Sequence, residues 1–349
     1  MKERILRQIE RGTLEREEIR FLLETHNKDI QEALRKKAWD LCQENYGDSI
    51  FIRGLVEFSN YCKQTCYYCG INGKNSEIQR FRLPVEEVLS ACEYGYNKGF
   101  RTFVLQGGED PSLEDDYFIS IIKSIKKSFP DTRITLSLGV RSYESLKKLK
   151  EAGADRYLLR HEAANEELFG KLHPKNQSFE ERRKTLYHLK DLGFVVGSGF
   201  MIGAPFQTIE NILEDFDFLQ ELQPQMIGVG PFIHHKDTIF HGEGNGDLEL
   251  SLKVVSILRI LFPQALIPST TALNSIHPQG RILGMLHGAN VVMPNLSPEK
   301  AKQNYSLYDN KAIQNLEAAA YIHELDEEFM KIGKKIKIDV GDPIDGKRG

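Results

Sequence analysis

Cysteine and tryptophan are scarce in this chain, with five and one among 349 residues. Cysteine this sparse excludes a disulfide-built extracellular scaffold, which needs a dense and even set. An excess of one charge is missing too. Lys and Arg total 46 against 50 Asp and Glu, and the net charge of −4 leaves no electrostatic footprint for nucleic acid or an anionic membrane. No apolar run approaches the roughly 18 residues of a membrane span. The opening MKERILRQIERGTLEREEIRFLLE is charged and helical in period, unlike a signal or transit peptide, so a cytoplasmic, reducing setting is expected. A Gly-x-Gly-x-x-Gly turn after the first strand, the mark of a doubly wound sheet, is absent; the partial match at Gly228 and Gly230 runs into Pro231.

Against that scarcity, SNYCKQTCYYCGING (59–73) crowds together Cys62, Cys66 and Cys69. One reading is a zinc site, which needs four ligands or three and a water, with His161 or His173 to complete it. Another is one face of a helix, where the i, i+4, i+7 spacing would bury three free thiols. Lys63, Gln64 and Thr65 fill the gaps, however, and Gly70 and Gly73 follow, which reads as a loop. The third reading is three thiolates on three irons of a cubane cluster, with the fourth iron left open to bind and reduce something.

Residues 1–48 read as a helical extension, with Thr13 as an N-cap. Beyond them, short β-rich runs begin at 51, 102, 133, 156, 194, 226, 266 and 289. Amphipathic stretches such as 84–99, 178–193 and 208–222 separate them. Strands alternating with helices of this length imply βαβ units and a parallel sheet, and eight units suit a closed (β/α)8 barrel over 49–310. The remainder, 311–349, reads as a helical extension and a basic tail. In a barrel the site is built at the C-terminal ends of the strands. There stand the cysteine loop, Gly107-Gly108-Glu109-Asp110, and Thr135 and Ser137 alternating on one face. Arg160 and Glu162 follow, either as a structural ion pair or as a place for an anion. Ser269, Thr270 and Thr271 are either ordinary turn hydroxyls or donors to an anion.

The C-x3-C-x2-C spacing with Tyr68 before the third cysteine resembles the radical S-adenosylmethionine superfamily. EFSNYCKQTCYYCG, RFRLPVEEV, VLQGGEDP, TLSLG, EAGADRYLLRHE, GVGPFI, LIPSTTA and GANVVMPN together resemble one branch of it, the radical enzymes of [FeFe]-hydrogenase maturation of the HydE type. GEDP is shared with methylornithine synthase and the cluster loop with biotin synthase, whereas RYLLRHE and IPSTTA mark the branch. The resemblance implies a [4Fe–4S] cluster on Cys62, Cys66 and Cys69, and S-adenosylmethionine bound by Tyr68, Gly108, Glu109, Ser137, Glu162, Arg182 and Met201. It gives Glu109 the methionine ammonium, Glu162 the ribose and Arg182 the cofactor carboxylate; taken alone, Arg182 beside Arg183 and Lys184 reads as a surface charge. Arg160, Thr270, Thr271 and Tyr308 are the implied substrate residues, with Tyr305 and Tyr308 folding a cap over the mouth.

The implied reaction is reductive cleavage of the cofactor to a 5′-deoxyadenosyl radical that attacks a cysteine-bound iron carbonyl–cyanide unit. The implied partners are other maturases and a donor such as ferredoxin or flavodoxin. A related mutase making methylornithine and a non-catalytic iron–sulfur scaffold are the alternatives. Some members of the branch carry further cysteines near the C-terminus for a second cluster, and this chain has none there.

Overall fold

A computed structural model describes residues 2–311 and 318–344. The helices Lys2–Arg11, Arg16–Glu24 and Lys28–Tyr46 come first. Thr13 is not a cap. Its N–H bonds back to Gln8 O at 3.2 Å, so it closes the first helix, and the second begins at Glu15, whose N–H donates to the Glu18 carboxylate at 3.2 Å. Local sequence offered a threonine, but Gly12 at φ +73 had already turned the chain.

Six parallel strands follow in sequence order around one sheet: Gly54–Ser59, Thr102–Gly107, Arg133–Ser137, Arg156–Leu158, Val195–Ser198 and Met226–Ile227. Parallel bridges Met226–Leu266 and Pro268–Val291 carry the sheet onward, and Leu55–Asn295 returns it to the first strand. The ring is therefore a closed, TIM-barrel-like (β/α)8 arrangement. Its seventh position pairs only by single bridges, because Pro268 has no N–H to extend a ladder. Helices at Val85–Asn97, Asp115–Ser128, Tyr143–Glu151, Phe179–Asp191 and Ile209–Leu222 cover the outside, the first, fourth and fifth of them within the stretches 84–99, 178–193 and 208–222.

The first run is split at Arg53. Its lower half, Ser49–Ile52, pairs in parallel with Val291–Val292 on one side and with Lys335–Lys337 of the tail on the other. The tail then crosses the N-terminal end of the barrel. Arg156 Nη2 donates to Val340 O and Asp342 at 2.8 Å each, and Thr102 Oγ1 donates to Val340 O at 2.7 Å. The lower mouth is thus closed, while the C-terminal ends of the strands open onto a cavity. Among the described residues no helix is long and apolar enough to cross a membrane.

Candidate active site

The cysteine segment is a loop, not a helix, and its backbone is held by the side chains that follow it, Asn72, Asn75 and Arg80. Arg80 donates to the carbonyls of Ile71, Asn72 and Asn75 at 2.8, 2.6 and 2.9 Å. Asn72 Nδ2 reaches Cys69 O at 2.7 Å, and Asn75 Nδ2 reaches Gly70 O at 2.7 Å. All three thiols are free and partly buried on the wall of a cavity of about 290 Å³. Burial pushes each thiol up, that of Cys66 to about 12 even with Arg182 opposing the shift. Burial of this kind disfavours a free thiolate, the form in which cysteine holds a metal.

The donor set fits a cubane better than a single ion. Among the described residues no three ligating side chains close around one ion position, and thiolates on three different irons need not do so. Neither histidine completes a zinc site. His161 is held by Ser198 Oγ at 3.0 Å and Asp215 at 3.2 Å, and His173 by Phe169 O at 2.9 Å and the Tyr68 hydroxyl at 3.0 Å. Both ring nitrogens of each are thus occupied.

The strand ends bring the other groups to the same cavity, which Tyr68, Gly108, Glu109, Ser137, Arg160, Glu162, Arg182, Met201, Thr270 and Tyr308 all line. Glu109 is oriented by Gln64 Nε2 at 2.8 Å and the Val140 N–H at 3.2 Å. It lies against Gly139, where a Cβ would meet Glu109 Cγ at 2.2 Å and φ is +74, so no side chain fits that turn. The neighbouring Asp110 has a structural partner set: Ser59 Oγ at 2.7 Å and Arg82 Nε at 2.6 Å.

Glu162 stands in the left-handed region at φ 68, a conformation that costs a non-glycine residue on the order of 1–3 kcal/mol and concentrates at functional sites. Arg182 is buried, not a surface charge. Its Nε donates to Arg160 O at 2.6 Å, and Glu162 and the other acidic groups facing it outweigh the burial that would lower its pKa. Arg160 and Glu162 approach at 3.0 Å, yet without hydrogen-bond alignment. Arg160 Nε and Nη2, Glu162 Oε2 and Thr270 Oγ1 are all buried without a hydrogen-bond partner. A closed structural ion pair would not leave such atoms orphaned.

Thr271 departs from the expected arrangement. It begins the helix Thr271–Ile276 and lines an adjoining cavity with Asn274 and Arg281 instead. The cap is formed by 304–311: Leu307 O accepts from the Gly70 N–H at 2.9 Å, and Lys311 Nζ reaches Glu57 at 2.6 Å. Tyr305 and Tyr308 face the cavity from it. Sequence reasoning missed Arg80, and it missed two buried arginines at the barrel floor, Arg53 and Arg156. An arginine inside the apolar run FIRGLVEF was the available signal for Arg53.

The Radical SAM superfamily profile matches residues 56–219. The [FeFe] hydrogenase maturase subunit HydE of Thermotoga maritima is 44% identical over 307 residues, covering 88% of this chain and 87% of that protein. The 3-methylornithine synthase of Methanosarcina barkeri is 30% identical over 84% of this chain and 82% of its own length. The crystal structure of methylornithine synthase (PylB) superposes with a TM-score of 0.83 at 27% identity, covering 95% of this chain and 97% of that one. Three thiols on one cavity wall, facing unpaired polar groups from the strand ends, agree with these likenesses. The chain belongs to the radical S-adenosylmethionine superfamily, in the branch of the [FeFe]-hydrogenase maturase HydE, with a [4Fe–4S] cluster and S-adenosylmethionine as its cofactors.

Proposed function

We propose that this protein is the radical enzyme of [FeFe]-hydrogenase maturation that acts on a cysteine-bound iron carbonyl–cyanide unit. When bound, the cluster supplies the electron that cleaves S-adenosylmethionine to methionine and a 5′-deoxyadenosyl radical. Cys62, Cys66 and Cys69 would hold three of its irons. Glu109 accepts from the cofactor ammonium, Arg182 pairs with its carboxylate and Glu162 accepts from its ribose hydroxyls, with Tyr68, Gly108, Ser137 and Met201 as neighbouring wall. Arg160 and Thr270 take the anionic part of the substrate below it, and Tyr308 closes the pocket from the cap. Thr271, one residue on, supports that turn from the adjoining cavity. The protein's part is placement and exclusion of water, which keeps a radical from bulk solvent. A ferredoxin or flavodoxin delivers the electron, and other maturases take the product.

The observation that carries this reading is the set of unpartnered buried atoms on Arg160, Glu162 and Thr270 beside the three thiols. Buried polar atoms without hydrogen bonds are costly, and a bound ligand removes the cost. The likeness to methylornithine synthase favours a second reading, a small-molecule mutase on the same scaffold. The test is to supply the reconstituted, reduced enzyme with the iron carbonyl–cyanide–cysteine complex and follow both 5′-deoxyadenosine and loss of that complex. The first reading requires the complex to be consumed and cofactor cleavage to accelerate. Inertness of the complex alongside formation of methylornithine from an amino acid would establish the second.

A further inference from the structure

The segment after the fourth strand touches the cysteine loop at three points that the cofactor roles above leave unused. Leu172 O accepts from the Tyr67 N–H at 3.0 Å, His173 accepts from the Tyr68 hydroxyl at 3.0 Å, and Gln177 Oε1 lies 3.2 Å from Cys66 Sγ. His173 Nδ1 is taken by Phe169 O, so its other nitrogen is the acceptor and the ring is neutral. Gln177 is 8% exposed, and its backbone N–H is bonded to Pro174 O at 2.9 Å, which fixes the chain where the side chain leaves it.

The three sulfurs do not have the same surroundings. Neighbouring backbone groups favour the thiolate at two of them, Gln64 and Glu109 at Cys62 and Ile71 at Cys69, although burial outweighs them. At Cys66 the facing group is the Gln177 amide. With a protonated thiol, the S–H donates to the amide oxygen. A cluster ligand has lost that proton, and a carbonyl dipole aimed at a thiolate is repelled. Half a turn about the last torsion exchanges the amide oxygen and nitrogen in nearly the same places. The contact then becomes N–H···S and favours the thiolate, as the backbone groups do at the other two sulfurs.

We propose that Gln177 is the hydrogen-bond donor to the Cys66 thiolate in the loaded enzyme, and that through this bond it sets the reduction potential of the cluster. The inference rests on the three cysteines holding the cluster. Reduction adds negative charge that is shared with the ligand sulfurs, so a donor stabilises the reduced form more than the oxidised form and raises the potential. A neutral amide does this without placing a second full charge beside Arg182. Gln177 is a positioning and tuning residue, and it need not touch the reacting atoms.

The experiment uses the full chain, reconstituted anaerobically and without S-adenosylmethionine, as the parent, Gln177→Leu and Gln177→Glu. Iron content and the midpoint potential are read, the latter by titration followed with electron paramagnetic resonance. The expected result is one cluster per chain in all three, with a more negative potential in the leucine variant and a still more negative one in the glutamate variant, whose carboxylate repels the thiolate. A variant that holds the cluster at the parent's potential overturns the proposal. Loss of the cluster from both variants overturns it as well, since Gln177 would then be a scaffold for assembly.

Discussion

Arg160 is where the pocket can be tested most directly. Its guanidinium lies near Glu162 without hydrogen-bond alignment, so a planar fork remains to be filled by a ligand. Arg160→Lys keeps the charge but loses the fork, and Thr270→Val removes the orphaned hydroxyl while keeping the shape. Each change is expected to lower substrate conversion about ten- to hundredfold, the equivalent of one charge-assisted hydrogen bond, while uncoupled S-adenosylmethionine cleavage stays near the parent rate. Parallel loss of both activities would return Arg160 to a structural role. Cys66 gives a second test. Cys66→Ala is expected to abolish cluster assembly, whereas Cys42→Ser and Cys92→Ser, at buried positions on helices away from the cavity, are expected to retain it, as iron and sulfide analysis will show.

Loops, more than helices or strands, decide the placement of the site groups. The turn at Gly107–Asp110 presents Glu109 to the cavity because its next residue is pinned from behind. Burial alone would raise the pKa of Asp110, but Arg82, Ser59 and the Ser112 N–H together hold it below the ordinary value. Its folded pKa is therefore lower than its unfolded one, and the unfolded chain binds the extra proton. The stability it contributes is full above about pH 4 and is lost as pH falls through the folded value. Asp110→Asn is expected to destabilise the apoprotein by about 2 kcal/mol at pH 7, with a smaller difference below about pH 4. Urea unfolding at the two pH values measures this, and an equal difference at both would show that the carboxylate's charge plays no part.

For the molecule as a whole, the barrel works because one end is sealed. The tail strand Lys335–Lys337 fills the edge left where the first run breaks at Arg53, and Asp342 meets both Arg133 and Arg156 at 2.8 Å. Arg156 is fully buried while the Asp342 side chain is 42% exposed, so the solvent-facing partner is the one that can be removed without opening a core. Asp342→Asn should cost about 1 kcal/mol, discounted for that exposure, and lower the thermal midpoint by a few degrees. An unchanged midpoint would mean that the Val340 and Gly341 carbonyls suffice to hold Arg156 Nη2.

How much of this was legible beforehand follows from the range of each interaction. The cysteine spacing, the loop character of 59–73 and the strand–helix alternation are local, and they were readable because covalent geometry and side-chain period act over a few residues. The ring closure follows from that alternation. Which side chains meet across the ring does not. Arg182 reads as one charge among three along the helix, and only its packing against Arg160 O shows it buried. Thr270 and Thr271 are equivalent as letters, but one end of a short helix turns the first toward the cavity and the second away. Arg80, Gln177 and the tail's Asp342 act on residues 9, 111 and 186 positions away. No local pattern encodes such pairs, because their partners are chosen by the closed barrel, which brings distant strand ends and loops within hydrogen-bond reach.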